Sequence, residues 1–223
     1  CGKRRRNPPA DHGSGIMIDL QVTAYLDTPV IGTLSPLDAP LSYAAYQRAV
    51  RDGKPLPPMT DEYVTDFPLP LSRWEREGVW GWCTSDAIVS IHDFSTSVEI
   101  RRKPATREMA RFTKAKDHHS GLGAMKARNT VLAADYYHEL DWLVACDDQA
   151  QADALLDLLG DVTHLGARHR NGFGHVQKWE LRPLKYTDMI WEKRRPMPTP
   201  DGPVMRRPRA PYHHPSGRVP HDR

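Results

Sequence analysis

Cysteine is scarce in this chain: Cys1, Cys83 and Cys146 are the only three among 223 residues. Three widely spaced thiols give neither a disulfide framework nor a CxxC metal knuckle, and they fit a reducing cytosol. Long apolar runs are missing as well. None approaches the ~20 residues of a membrane span, and no apolar core follows the basic start Cys1-Gly-Lys-Arg-Arg-Arg. A cytoplasmic protein without membrane contact is therefore expected. Net charge is small: 31 Lys and Arg against 28 Asp and Glu give +3, which names no polyanionic partner by itself. Neither a GxxxxGK[ST] phosphate loop nor a metalloprotease helix motif occurs, so no cofactor is expected.

What the chain does have is a stretch of unusual composition, His164-Leu-Gly-Ala-Arg-His-Arg-Asn-Gly-Phe-Gly-His175. Glycine permits positive φ and close approach of the backbone to a ligand. Successive exposed N–H groups in such a loop form an anion-binding concavity, and arginines add forked, charge-assisted bonds to phosphate oxygens. Gly166, Arg168, His169, Arg170, Asn171, Gly172 and Gly174 are thus candidate RNA-phosphate ligands. The competing reading is a tight turn whose glycines serve geometry and whose arginines are merely solvated. A metal site from His164, His169 and His175 is not expected. No carboxylate or cysteine lies at ligand spacing, and a flexible loop is a poor preset for tetrahedral geometry.

Length is enough for one domain with elaborations and a sizeable core. Residues 1–15 read as a disordered basic arm, with Met17 an alternative start. From Ile16 to Leu26 apolar and polar residues alternate, a half-buried strand. Residues 35–50 read as a helix with Leu37, Leu41, Ala44, Ala45 and Arg48 on one face. Ser35 or Asp38 is its candidate cap, and Gly53 closes it. Residues 54–78 are a proline-rich ordered insertion whose Tyr63, Phe67, Leu69, Leu71 and Trp74 need a core. Residues 79–84 and 97–102 are short strand candidates.

Residues 101–130 form a basic excursion with Arg101, Arg102, Lys103, Arg107, Arg111, Lys114, Lys116, Lys126 and Arg128. Only Glu108 and Asp117 offset them, and few apolar residues are present to bury the segment. It is expected to project as a thumb-like hairpin or loop that contacts nucleic acid. His118 and His119 within it are the candidate catalytic pair of an alternative reading, a metal-independent endoribonuclease. Such chemistry needs a base for the 2′-hydroxyl and a donor to the leaving oxygen.

One strand is read over 134–144, with His138 on its apolar side. Asp147 and Asp148 cap an amphipathic helix carrying Ala152, Leu155, Leu156 and Leu159, and Gly160 ends it. The glycine-rich loop then leads into a strand at 176–182. Trp80, Trp82, Trp142 and Trp179 are expected in the core. Residues 191–223, rich in Pro and Arg, read as a disordered tail. The order is β-α-β-β-α-β with insertions: an α+β, ferredoxin-like (RRM-like) plan, shared with RNA-binding folds that use an open sheet face.

Leu165-Gly166 and Arg170-Asn-Gly-Phe-Gly-His-Val176, leading to Trp179, resemble the glycine-rich loop of the RAMP superfamily of CRISPR-associated proteins. A narrower likeness is carried by Leu26–Val30, Leu37–Tyr43, Asp66–Pro70, Val79-Trp80, Tyr136-Tyr137 and Trp142. Their order and spacing are similar to the small RAMP subunit of type IV CRISPR effectors. The resemblance spans about residues 18–183. It implies a prokaryotic, non-catalytic subunit of an antiviral and anti-plasmid ribonucleoprotein. Such a subunit binds the 5′ handle of the CRISPR RNA (crRNA) and caps a filament of backbone RAMP subunits, with a large subunit and target DNA as further candidate partners. The excursion would be its thumb. The long basic ends, and His169 and His175 in the loop, depart from the plain family pattern.

Overall fold

The structure, a computed structural model, describes residues 17–60, 64–102, 127–184 and 190–223. The first half contains β1 (Ile18–Leu26), β2 (Val30–Ile31), α1 (Asp38–Arg51), β3 (Met59–Thr60), β4 (Val64–Thr65), β5 (Arg73–Arg76), β6 (Val79–Trp82) and β7 (His92–Arg102). The second contains β8 (Arg128–Tyr137), β9 (Glu139–Cys146), α2 (Gln149–Leu159), β10 (Val176–Pro183), β11 (Val204–Arg206) and β12 (Val219–His221).

The alternation read from β1 makes it the central strand. β9 and β10 pair with it antiparallel on either side, and Val22 stands opposite both Trp142 and Leu181. The chain after β6 runs along the free edge of β9, where Ser85 N–H donates to Leu143 O and Ile88 and Asp141 exchange both backbone bonds. The resulting order, β10-β1-β9 and then residues 83–88, is α+β and compatible with a ferredoxin-like plan.

Leu20, Val22, Ala24, Leu140, Trp142 and Val144 face the helices, which close the core with Leu41 and Ala44 from α1 and Ala152, Leu155, Leu158 and Leu159 from α2. Burying Leu155 or Leu159 fully stabilises the packing by about 1.5–3 kcal/mol each. Asp148 caps α2 by accepting from Gln151 N–H at 2.7 Å, and Arg48 of α1 ion-pairs with Asp157 and Asp161 beside the end of α2.

Several expectations are corrected. The single strand over 134–144 is two strands meeting at His138. β8 belongs to a second sheet, β2-β8-β7, and β9 to the central one. Buried alternation has the same parity in both halves, so periodicity cannot show the chain changing sheets. His138 at the junction is exposed rather than packed in the core. The strand expected from Ser97 starts at His92 and runs the length of the β7–β8 ladder. On α2, Leu158 is buried and Leu156 is 49% exposed. Asp38 caps nothing in α1: it is fully buried and accepts from Tyr212 Oη–H and Ala210 N–H.

The largest correction is the C-terminal segment, which is folded. Leu143 and Ala145 point away from the helices and offer an apolar back face. Trp191 and Met197 cover it together with Trp74 and Cys83. The sheet face that RNA-binding folds of this plan leave open is therefore closed here at β9. Composition fails here because the segment does not build its own core; it needs only a few anchors on one that exists. Burial also raises the Cys83 thiol pKa and pushes that of Cys146 up to about 12, so neither is a reactive thiolate.

Candidate nucleic-acid interface

After α2 the chain leaves through buried Val162 and closes the base of the glycine-rich loop. Val176 N–H donates to Thr163 O at 2.9 Å, and Leu165 N–H donates to Gly174 O at 2.7 Å. The loop tip, Gly166 to Phe173, emerges from this clamp. Gly174 has φ +69°, and a Cβ there would sit 1.9 Å from Leu165 O; at Gly166 a Cβ would sit 2.6 Å from Ile31 O. These two glycines serve backbone geometry, as the turn reading holds. Gly172 has φ +84° with open space around it.

The tip itself does what a plain turn does not require. Arg168 is a non-glycine residue at φ +64°, followed by a 3₁₀ turn over His169–Asn171. A left-handed residue followed by right-handed ones aims successive N–H groups into one concavity. The N–H groups of Arg168, His169 and Arg170 make no hydrogen bond among the described residues. The side chains of Arg168, Arg170 and Asn171 are exposed and unpaired there too. Such an arrangement can accept a phosphate on fixed N–H dipoles flanked by two guanidinium groups.

Three histidines gather at the base of this tip. The His164 ring lies 5.6 Å from that of His169 and 5.2 Å from that of His175. His175 Nδ1 meets Asp27 Oδ1 at 2.8 Å, and His169 Nε2 meets Gly166 O at 2.6 Å. Burial first, and then its two imidazole neighbours, holds the His164 pKa below the usual value. No group of three or more His, Cys, Asp or Glu placed to hold a metal ion occurs among the described residues.

β2 ties this loop to the projecting hairpin. Ala167 N–H donates to Ile31 O at 2.6 Å, and Ile31 stands opposite Ala134 of β8 on its other side. From that base β7 and β8 run out as a largely exposed ladder, with Phe94 stacked on Tyr136 at 4.2 Å. Arg102 stands opposite Arg128 at its far end. Like charges in direct register repel, a cost that an anion between them would relieve. Six residue steps along the strand, about 20 Å, lie between this pair and Ala134. The loop and the hairpin arginines are thus two ends of one connected surface, not one pocket. Arg101 is partly spent on Glu99, which also accepts from Asn129.

The model of the family described as CRISPR type IV associated protein Csf3 matches residues 19–220. The chain belongs to that family. No curated protein matches it. The Csf3 match runs through the C-terminal segment, which the resemblance over residues 18–183 left out.

Of the residues expected to bind RNA, the structure brings Gly166, Arg168, His169, Arg170, Asn171, Gly172 and Gly174 together and places Arg101, Arg102 and Arg128 on the hairpin. Lys103, Arg107, Arg111, Lys114, Lys116, Lys126 and the candidate catalytic pair His118 and His119 lie outside the described residues. Sequence reasoning missed the groove that the C-terminal segment forms against α1, lined by Tyr43, Arg206 and Arg218. The signal was present in Trp191, Met197 and Tyr212, apolar residues that a disordered tail has no use for. No helix among the described residues is long and apolar enough to cross a membrane.

Proposed function

We propose that this chain is a non-catalytic RNA-binding subunit of a type IV CRISPR ribonucleoprotein, with the RAMP architecture that its loop resembles. The glycine-rich loop holds phosphates of the crRNA 5′ handle through the N–H groups of Arg168, His169 and Arg170 and the two arginine side chains. The subunit caps one end of a filament of backbone subunits. The β7–β8 hairpin is the thumb, which folds over RNA or reaches the neighbouring backbone subunit with Arg102, Arg128 and the basic residues between them. The observation that carries this reading is the loop tip: three N–H groups and two arginines without a partner among the described residues, on a folded scaffold, in a Csf3-family chain. Phosphate contacts fix position without reading sequence, which suits a subunit that recognises an end.

The experiment is to express the chain with its neighbouring subunits and a CRISPR array, purify it, and sequence the RNA it retains. Retained RNA with one uniform 5′ end supports end capping. Heterogeneous cellular RNA means a general RNA-binding protein, and no RNA means that the loop serves something else.

A further inference from the structure

Two cavities flank the segment that leads into α1, and they share a wall. One of about 280 Å³ opens beside the glycine-rich loop, against His164, Gly166 and His169. The other, a groove of about 930 Å³, lies between that segment and the folded C-terminal segment. Thr33, Leu34, Ser35, Ala39 and Tyr43 line both. The loop and the groove are thus neighbours across one short stretch of chain.

Tyr43 is the residue at the junction. It is 58% exposed, and among the described residues its ring touches no other ring and its hydroxyl makes no hydrogen bond. A large aromatic face left open on a helix surface is a platform on which any base can stack. Cations stand on the side of the groove built by the C-terminal segment. The side chain of Arg206 is exposed and makes no hydrogen bond or ion pair among the described residues. Arg218 rests on the carbonyls of His213 and His214 and is otherwise exposed. Among the described residues Asp86 is the only carboxylate in the lining, and burial raises its pKa.

We propose that this groove is a second RNA subsite, in which a nucleotide adjacent to those held at the glycine-rich loop stacks its base on Tyr43 and sets its phosphate on Arg206 and Arg218. The proposal rests on the reading of the loop as an RNA grip, and it adds where the strand goes next. Because a stacked base must be unpaired and every base has a π-face, the subsite takes single-stranded RNA with little sequence preference.

Fluorescence anisotropy with labelled oligouridine on the full chain tests it, comparing wild type with Tyr43→Ala, Tyr43→Phe, Arg206→Ala and the loop variant Arg168→Ala/Arg170→Ala. Tyr43→Ala is expected to weaken binding roughly five- to a hundredfold, and Tyr43→Phe to bind like wild type. Arg206→Ala is expected to lower the log–log salt slope by roughly 0.7. A 4-thiouridine crosslink should map to the peptide containing Tyr43. If Tyr43→Ala and Arg206→Ala bind like wild type while the loop variant binds weakly, the groove proposal is wrong and the loop reading stands. Should only the loop variant behave like wild type, the loop reading falls and the groove is an RNA site in its own right. Wild type that fails to bind oligouridine overturns both. Competition by uridine monophosphate at the oligomer's own concentration would assign the groove to a free nucleotide and overturn the proposal.

Discussion

Replacing Arg195 with methionine should unlatch the C-terminal segment. Arg195 is 3% exposed. Its guanidinium donates to Thr84 O at 2.9 Å, Tyr212 Oη at 2.8 Å, Trp82 O at 3.3 Å and Pro208 O. Asp38, fully buried, lies 4.0 Å from it and accepts from Tyr212. One cation thus joins the end of β6, the start of α1 and the C-terminal segment. Hydrogen bonds to a charged group contribute about 1.5–3 kcal/mol each. Four such bonds overstate the net, because burying the guanidinium costs most of that sum back. The better guide is the cost of breaking a buried pair on one side, about 3–5 kcal/mol, since Asp38 and several carbonyl groups stay buried with their partner gone. With a urea m-value of ~2–3 kcal/mol/M, the unfolding midpoint should fall by about 1–2 M. Limited proteolysis should cut first within residues 196–223. The control is Arg194→Ala, an exposed neighbour expected to stay within about 0.5 kcal/mol. Arg195→Met with the midpoint of wild type would refute the claim that this network latches the segment.

Other consequences are independent of that latch. Gly174→Ala forces a Cβ onto Leu165 O at positive φ and should cost more than about 2 kcal/mol in chemical denaturation. Gly172→Ala meets only the φ penalty of ~1–2 kcal/mol. His164 and His221 are each held below the imidazole value of 6.5, burial being the largest cause. Their neutral forms fit the fold, so the unfolded chain binds more protons, and stability should fall as pH drops below about 6.5. Melting temperature against pH reads this, and His164→Gln should flatten the curve. Charge reversal at the hairpin end, Arg102→Glu with Arg128→Glu, should weaken RNA binding and flatten its salt dependence without moving the melting temperature. Unchanged affinity would remove the hairpin end from the RNA path.

Much of this layout is legible in the residues themselves. Alternation in Ile18–Leu26 marks the central strand, Asp148 and Gly160 bracket α2, and glycine spacing marks the loop. Each is a local signal written within about a dozen residues. What was illegible depends on distant partners. β8 and β9 read as one strand because their buried faces share parity across His138. Leu156 lost its place to Leu158 because the core decides which flank of an amphipathic stripe it covers. Residues 191–223 looked too poor in apolar groups to fold, yet Trp191 and Met197 need only the back face of β9. Within the candidate site, the loop residues were readable because glycine and arginine carry their meaning locally. Tyr43, Arg206 and Arg218 were not, since they form a groove only once the C-terminal segment has docked.

The most direct test of the central claim is the salt dependence of crRNA binding by wild type and by Arg168→Ala/Arg170→Ala. Each neutralised phosphate adds roughly 0.7 to the log–log slope on single strands. The double variant is expected to lose affinity, and its slope to fall by about 1.4. Equal affinity and equal slope would contradict it, and the glycine-rich loop would then be a turn and nothing more.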